Sequence, residues 1–117
     1  MGYLFLCYAK CTTCSKARNF LETKGIVFEE RDIKKMNPSR EEIQKWQQKS
    51  GLPLKRFFNT SGILYRSLEL ARRLPKMSEN EMLDILASDG MIVKRPILTD
   101  EKVVLVGFNE EEWKKHL

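Results

Sequence analysis

Between Tyr3 and Tyr8 the chain is an almost unbroken apolar run, and beyond the cysteines apolar residues return at helical intervals, at Ala17, Phe20 and Leu21. The first pattern predicts a buried strand and the second a helix packed on it. Gly25 supplies a left-handed stop for that helix, and the segment Ile26 to Ile33, rich in branched and aromatic residues, predicts a second strand. The opening third is thus a strand, helix, strand unit.

Asn37-Pro38-Ser39 interrupts the pattern, and Ser39 with Glu42 forms a capping box for a helix that carries Ile43 and Trp46 and ends near Gly51. Leu54 to Phe58 predicts a short turn of helix, and Asn59-Thr60-Ser61-Gly62 a loop. Leu64, Leu68 and Ala71 predict a further helix before Pro75. Ser78 with Glu81 makes a second capping box, Met82, Leu83, Ile85 and Leu86 form the buried stripe, and Gly90 ends that helix. The segments Met91 to Thr99 and Val103 to Phe108, joined across Asp100-Glu101-Lys102, predict a β-hairpin. Asn109 before three glutamates opens a last helix, and Lys114 and Lys115 suit the negative end of its dipole. The pattern is α/β, with short helices separating the halves of a sheet.

A chain of 117 residues with 42% hydrophobic content can bury one ordinary core. The expectation is a single domain over 1–117, with a helical insertion at about 38–90. No internal repeat or low-complexity tract is present. The opening residues lack the charged leader and cleavage site of a secretory signal, and their apolar run is too short to span a bilayer. A cytoplasmic location without membrane association is expected. The formal charge is +5, unevenly spread: eleven basic residues stand against three acidic ones from Lys34 to Lys76. Such a field can attract anions, an acidic partner or nucleic acid, although solvated faces of surface helices are the plainer reading. The sequence holds no motif for direct nucleic-acid recognition.

Three cysteines cannot all pair within one chain, and a reducing compartment disfavours a structural disulfide framework. Cys11 and Cys14 close the first strand and open the first helix. A nucleophilic thiol must ionise, and the unsatisfied N–H groups and dipole of a helix N-terminus favour the thiolate at Cys11, with Lys10, Lys16 and Arg18 adding positive potential. Cys14 lies about one turn on, where its thiol can resolve a mixed disulfide or sulfenic acid formed at Cys11. The pair could instead supply two zinc ligands, but the further candidates are only Cys7, inside a strand, and the lone His116. Two inert thiols are the remaining alternative, and Cys7 itself reads as a small core residue. A single histidine and the absence of a glycine-rich phosphate loop leave the chemistry to the thiols. No metal and no bound cofactor are expected. Arg95-Pro96 opens a strand, where a proline can be a plain edge residue and the arginine exposed in a salt bridge; in a thioredoxin-like fold a cis peptide there would face the cysteine loop and could set Arg95 beside an anion or thiolate at Cys11.

The Cys11 loop, Asn59-Thr60-Ser61-Gly62, Leu86-Ala87-Ser88-Asp89-Gly90 with Arg95-Pro96-Ile97, and Val106-Gly107-Phe108 together resemble the arsenate reductase (ArsC) family, which includes the Spx transcriptional regulators. The resemblance covers essentially the whole chain. It implies a thioredoxin-like, glutaredoxin-like mixed four-stranded sheet with a helical insertion. It also implies catalytic roles for Cys11 and Arg95, the positions that match the nucleophile and an anion-binding arginine of the glutathione- and glutaredoxin-linked arsenate reductases. The family's other arginines are not carried over: Asn59 stands where one is expected, and Gly107-Phe108-Asn109 lies near the place of another. Cys14 is characteristic of Spx and of a less characterised branch related to arsenate reductase. The activity so implied is that of a thiol–disulfide oxidoreductase, with arsenate a candidate substrate and glutathione with glutaredoxin, or thioredoxin, as electron donor. The other implied activity is that of a redox-switched regulator that binds the C-terminal domain of the RNA polymerase α subunit.

Overall fold

The computed structural model describes residues 2–117, and its contacts cluster into two compact units. One is the described part of Met1–Asp32 with Arg95–Leu117, and the other is Ile33–Lys94.

In the first unit, β1 (Tyr3–Cys7) leads into α1 (Thr12–Thr23), which returns the chain to β2 (Phe28–Asp32). β1 and β2 pair in parallel from Tyr3 opposite Phe28 to Cys7 opposite Asp32. β3 (Ile97–Thr99) and β4 (Val104–Val106) form an antiparallel hairpin, and β3 lies antiparallel along the free side of β1. The strand order is β2-β1-β3-β4, a mixed sheet of the thioredoxin-like kind. At the hairpin turn the Asp100 carboxylate accepts from the backbone N–H groups of Lys102 and Val103, at 2.8 and 2.7 Å. Alternation along β1 sends Phe5 and Cys7 to one face. There they join Cys14, Ala17, Phe20 and Leu21 of α1, Leu98, Leu105 and Trp113 in one buried cluster. Trp113 comes from α6 (Glu110–His116), whose first turn is capped by the Asn109 side chain. Its indole N–H donates to the Gly107 carbonyl at 3.0 Å, and its ring meets Phe108 edge-on at 4.9 Å between centroids.

The second unit holds α2 (Arg40–Ser50), α3 (Ile63–Ser67), α4 (Leu70–Arg73) and α5 (Glu79–Ser88), with short 3-10 turns between them. Both expected capping boxes are formed, and Gly51 ends α2 in the left-handed conformation at φ 72°. α2 is tied to α5 by Arg40, whose guanidinium donates to the Asn80 carbonyl at 2.9 Å and to Asp84 at 2.6 Å.

Three expectations are corrected. The helix expected from Leu64, Leu68 and Ala71 is two helices, because Glu69 takes a left-handed φ of 53° and rotates the following turn. Leu70 then becomes the buried residue, while Leu68 is 38% exposed. Gly90 does not stop α5 by a left-handed turn. The helix ends at Ser88 with Asp89 extended, and a Cβ at Gly90 would stand 1.7 Å from the Ile33 carbonyl oxygen, so close backbone approach is what requires glycine there. The strand expected from Met91 begins only at Ile97: Gly90–Ile92 forms a 3-10 turn, and Val93 bridges to Phe58 within the helical unit.

Candidate redox site

Cys11 is the N-cap of α1, in extended conformation at φ −90° and ψ 119°. Its own N–H donates to the Tyr8 carbonyl at 3.0 Å and its carbonyl accepts from the Ser15 N–H at 3.1 Å, so the backbone that carries the thiol is held on both sides. The sulfur makes no close capping hydrogen bond, but it occupies the position from which an N-cap side chain faces the first free amides. Burial works against ionisation of Cys11. The backbone N–H and thiol of Cys14, the positive charge of Arg95 and the N–H of Thr13 outweigh it, and the thiol is held below its ordinary value.

Arg95 reaches this site from the segment before β3, and its bond to Pro96 is cis. The guanidinium carbon lies 5.4 Å from the centroid of the Tyr8 ring, a cation–π arrangement. The three residues singled out from the sequence, Cys11, Cys14 and Arg95, are therefore brought together within the sheet unit. The charge acting on Cys11 comes from Arg95. Lys10 and Lys16 point into solvent, and Arg18 is engaged elsewhere.

Cys14 is fully buried. The Tyr8 N–H donates to its sulfur at 3.4 Å, and the thiols of Cys7 and Cys11 both bear on its ionisation. The thiol of Cys7, burial and the proximity of Cys11 push its pKa far up, so Cys14 is the protonated member of the group.

Sequence reasoning placed Cys7 in the core, and it is buried there, but the partners on its sulfur were missed. Arg18, one turn beyond Cys14 on α1, donates from Nη2 to the Cys7 sulfur at 3.3 Å while its Nε and Nη2 hold the Glu30 carboxylate at 2.9 and 3.0 Å. The thiol of Cys14 and the charge of Arg18 lower the Cys7 pKa against burial and Glu30. The available signal was an arginine four residues after Cys14, on the helix face that meets a strand ending in cysteine. Among the described residues no group of three or more His, Cys, Asp or Glu is arranged to hold a metal ion, and no helix is long and apolar enough to cross a membrane.

Where the resemblance implied absent arginines, structural residues stand. Gly107 turns at φ 76°, Phe108 packs on Trp113 and Asn109 caps α6. In the helical unit, the Asn59 carbonyl accepts from the Gly62 N–H at 3.0 Å to close a turn.

The ArsC family model matches residues 6–116. The uncharacterized protein YusI of Bacillus subtilis is 48% identical across 99% of this chain and 98% of its own length. A solved structure, a possible arsenate reductase from Streptococcus mutans, is 40% identical with a TM-score of 0.87, covering 96% of this chain and 97% of that one. The global transcriptional regulator Spx of Lactiplantibacillus plantarum is 31% identical across 92% of this chain and 80% of its own length.

Proposed function

This chain belongs to the ArsC family, and on that premise we propose that it is a thiol–disulfide oxidoreductase in which Cys11 attacks and Cys14 resolves. The observation that carries the reading is the asymmetry of the pair: Cys11, half-buried at the start of α1, is biased toward thiolate, while the thiol one turn below it is buried and protonated. The Cys11 thiolate attacks one sulfur of a substrate disulfide, forming a mixed disulfide and expelling the other half as a thiolate that takes a proton from water. Cys14 then attacks the Cys11 sulfur, forming the Cys11–Cys14 disulfide and releasing the second half as thiol. Two electrons have passed to the substrate. Glutathione with glutaredoxin, or thioredoxin, restores the two thiols, and no bound cofactor takes part. Arg95 and the α1 amides stabilise the Cys11 thiolate that makes the first attack. With one anion-binding arginine at the thiol, a disulfide suits the site better than arsenate.

Turnover of arsenate and of a model disulfide, each with glutathione plus glutaredoxin or with thioredoxin, tests this reading. Disulfide reduction is expected for the wild type and its loss for Cys11→Ser and Cys14→Ser. Full activity in Cys14→Ser would remove the two-thiol mechanism, and a Cys11 that alkylates no faster at pH 6 to 7 than an unstructured thiol would remove the nucleophile.

A second reading draws on the identity with Spx, which extends over most of this chain. In it the Cys11–Cys14 disulfide switches affinity for the C-terminal domain of the RNA polymerase α subunit. Pull-down with that domain under reducing and oxidising conditions tests it, and absence of binding in both states would refute it.

A further inference from the structure

Tyr8, in the loop between β1 and α1, touches each of the three residues given a role at the redox site. Its N–H donates to the Cys14 sulfur at 3.4 Å, its carbonyl accepts from the Cys11 N–H at 3.0 Å, and its ring centroid lies 5.4 Å from the guanidinium carbon of Arg95. The two backbone bonds fix the residue relative to both cysteines, and the ring in turn carries the arginine. We propose that Tyr8 is a positioning residue of the site, its ring holding the Arg95 guanidinium where that charge acts on Cys11. The proposal rests on the reading of Cys11 as the attacking thiol, and it adds a residue that acts through Arg95.

An arginine in this place needs such a support. Its long side chain gives up much rotamer freedom when it is fixed, and a guanidinium released into water is screened from the thiolate it would serve. The face of an aromatic ring is negative and attracts a planar cation laid over it, while the N–H groups at the edge of the cation stay available to a thiolate or other anion. A leucine side chain there would fill much of the same space without that attraction, whereas phenylalanine would keep it.

The groups that bear on Cys11 come from two sides. From α1 they are the thiol and N–H of Cys14 and the N–H of Thr13, and from the segment before β3 the charge of Arg95. Lys10 and Lys16 are exposed. Arg18, the other guanidinium near the cysteines, is held by Glu30 at 2.9 and 3.0 Å and donates to Cys7. Tyr8 itself brings a hydroxyl, which a phenylalanine variant removes while keeping the ring. The direction agrees with this arrangement: the Cys11 thiol is held below its ordinary value, with Arg95 among the causes.

Alkylation of Cys11 by iodoacetamide in the full chain, located by peptide mapping and followed across the titration range of a thiol, gives a profile whose midpoint reports the ionisation of Cys11. Arg95→Gln is expected to raise that midpoint by about one unit. Tyr8→Leu should raise it by about half a unit, the scale of one cation–π contact, and Tyr8→Phe should restore the wild-type value. In the Arg95→Gln background Tyr8→Leu should add nothing, because Tyr8 acts through that arginine. Replacing Tyr8 by phenylalanine and then by a trifluorinated phenylalanine weakens the negative face of the ring at nearly constant shape, so the midpoint should rise along that series, whether or not Tyr8→Leu folds. A midpoint unmoved by fluorination, or an equal shift for Tyr8→Leu with Arg95 present and absent, would overturn the proposal while leaving Cys11 as the nucleophile. So would a Tyr8→Phe variant that behaves like Tyr8→Leu, since the hydroxyl and not the ring would then be at work. A wild-type midpoint no lower than that of an unstructured thiol would remove Cys11 as the nucleophile, and this proposal with it.

Discussion

In the helical unit, Ile33–Lys94, the elements are written in near neighbours: Ser39 closes a box with Glu42, Ser78 closes one with Glu81, and Gly51 takes the left-handed stop. In the sheet unit the decisive contacts join residues far apart in the chain. Cys7, Cys11, Cys14, Arg18, Glu30 and Arg95 become one electrostatic group only because β1 pairs with β2 on one side and β3 on the other. All three cysteines lie in this unit, and the whole of the net basic excess lies in the other. The contrast teaches that a short-range code suffices to start and stop helices, whereas tuning a thiol takes charges delivered by long-range pairing.

The largest expected effect would separate chemistry from stability. Cys11→Ser should lower disulfide turnover by about a thousandfold or more while leaving the urea midpoint almost unmoved, because the residue is a half-exposed N-cap and serine caps well. A large loss of stability would show that the site and the fold of the sheet unit are not separable in this way. Gly90→Ala should do the reverse. A methyl group driven against the Ile33 carbonyl is expected to cost about 3 kcal/mol, read as a drop in urea midpoint, with Cys11 alkylation unchanged in the protein that remains folded.

Next in size, Ser39→Ala and Ser78→Ala each remove a capping-box acceptor and should cost about 1 kcal/mol. A null result in both would mean that burial alone sustains α2 and α5. The smallest effect concerns the Arg18–Glu30 pair. Hydrogen bonding to Arg18 lowers the Glu30 pKa, so the stability it contributes is present above the ordinary carboxyl value and is lost as pH falls through the lower, folded value. Because the Glu30 side chain is 46% exposed, solvent screens the pair and the contribution is expected to be about 0.5 kcal/mol or less. Urea midpoints of wild type and Glu30→Gln should differ near neutral pH and converge in acid. A difference that grows in acid would reverse the sign.

Legibility followed the same division. The boxes at Ser39 and Ser78, the Asn109 cap, and the left-handed residues Gly25 and Gly51 could be read directly, since a cap depends on residues three or four apart. The break at Glu69 could not, because glutamate has no preference for a left-handed φ and burial of Leu70 decides it. Gly90 looked like a helix stop because sequence does not reveal that the Ile33 carbonyl passes so close to it.

By itself the sequence determined a strand, helix, strand opening, a helical middle, a closing hairpin and helix, and a cysteine pair set at a helix start. Apolar periodicity and capping chemistry act over a few residues and survive in any reading of the string. Only the tertiary structure decided that Arg95 serves Cys11, that Arg18 donates to Cys7, and that Cys14 is buried and held protonated. Electrostatic influence depends on distance through space and on exclusion of water, and neither quantity exists until the sheet has formed.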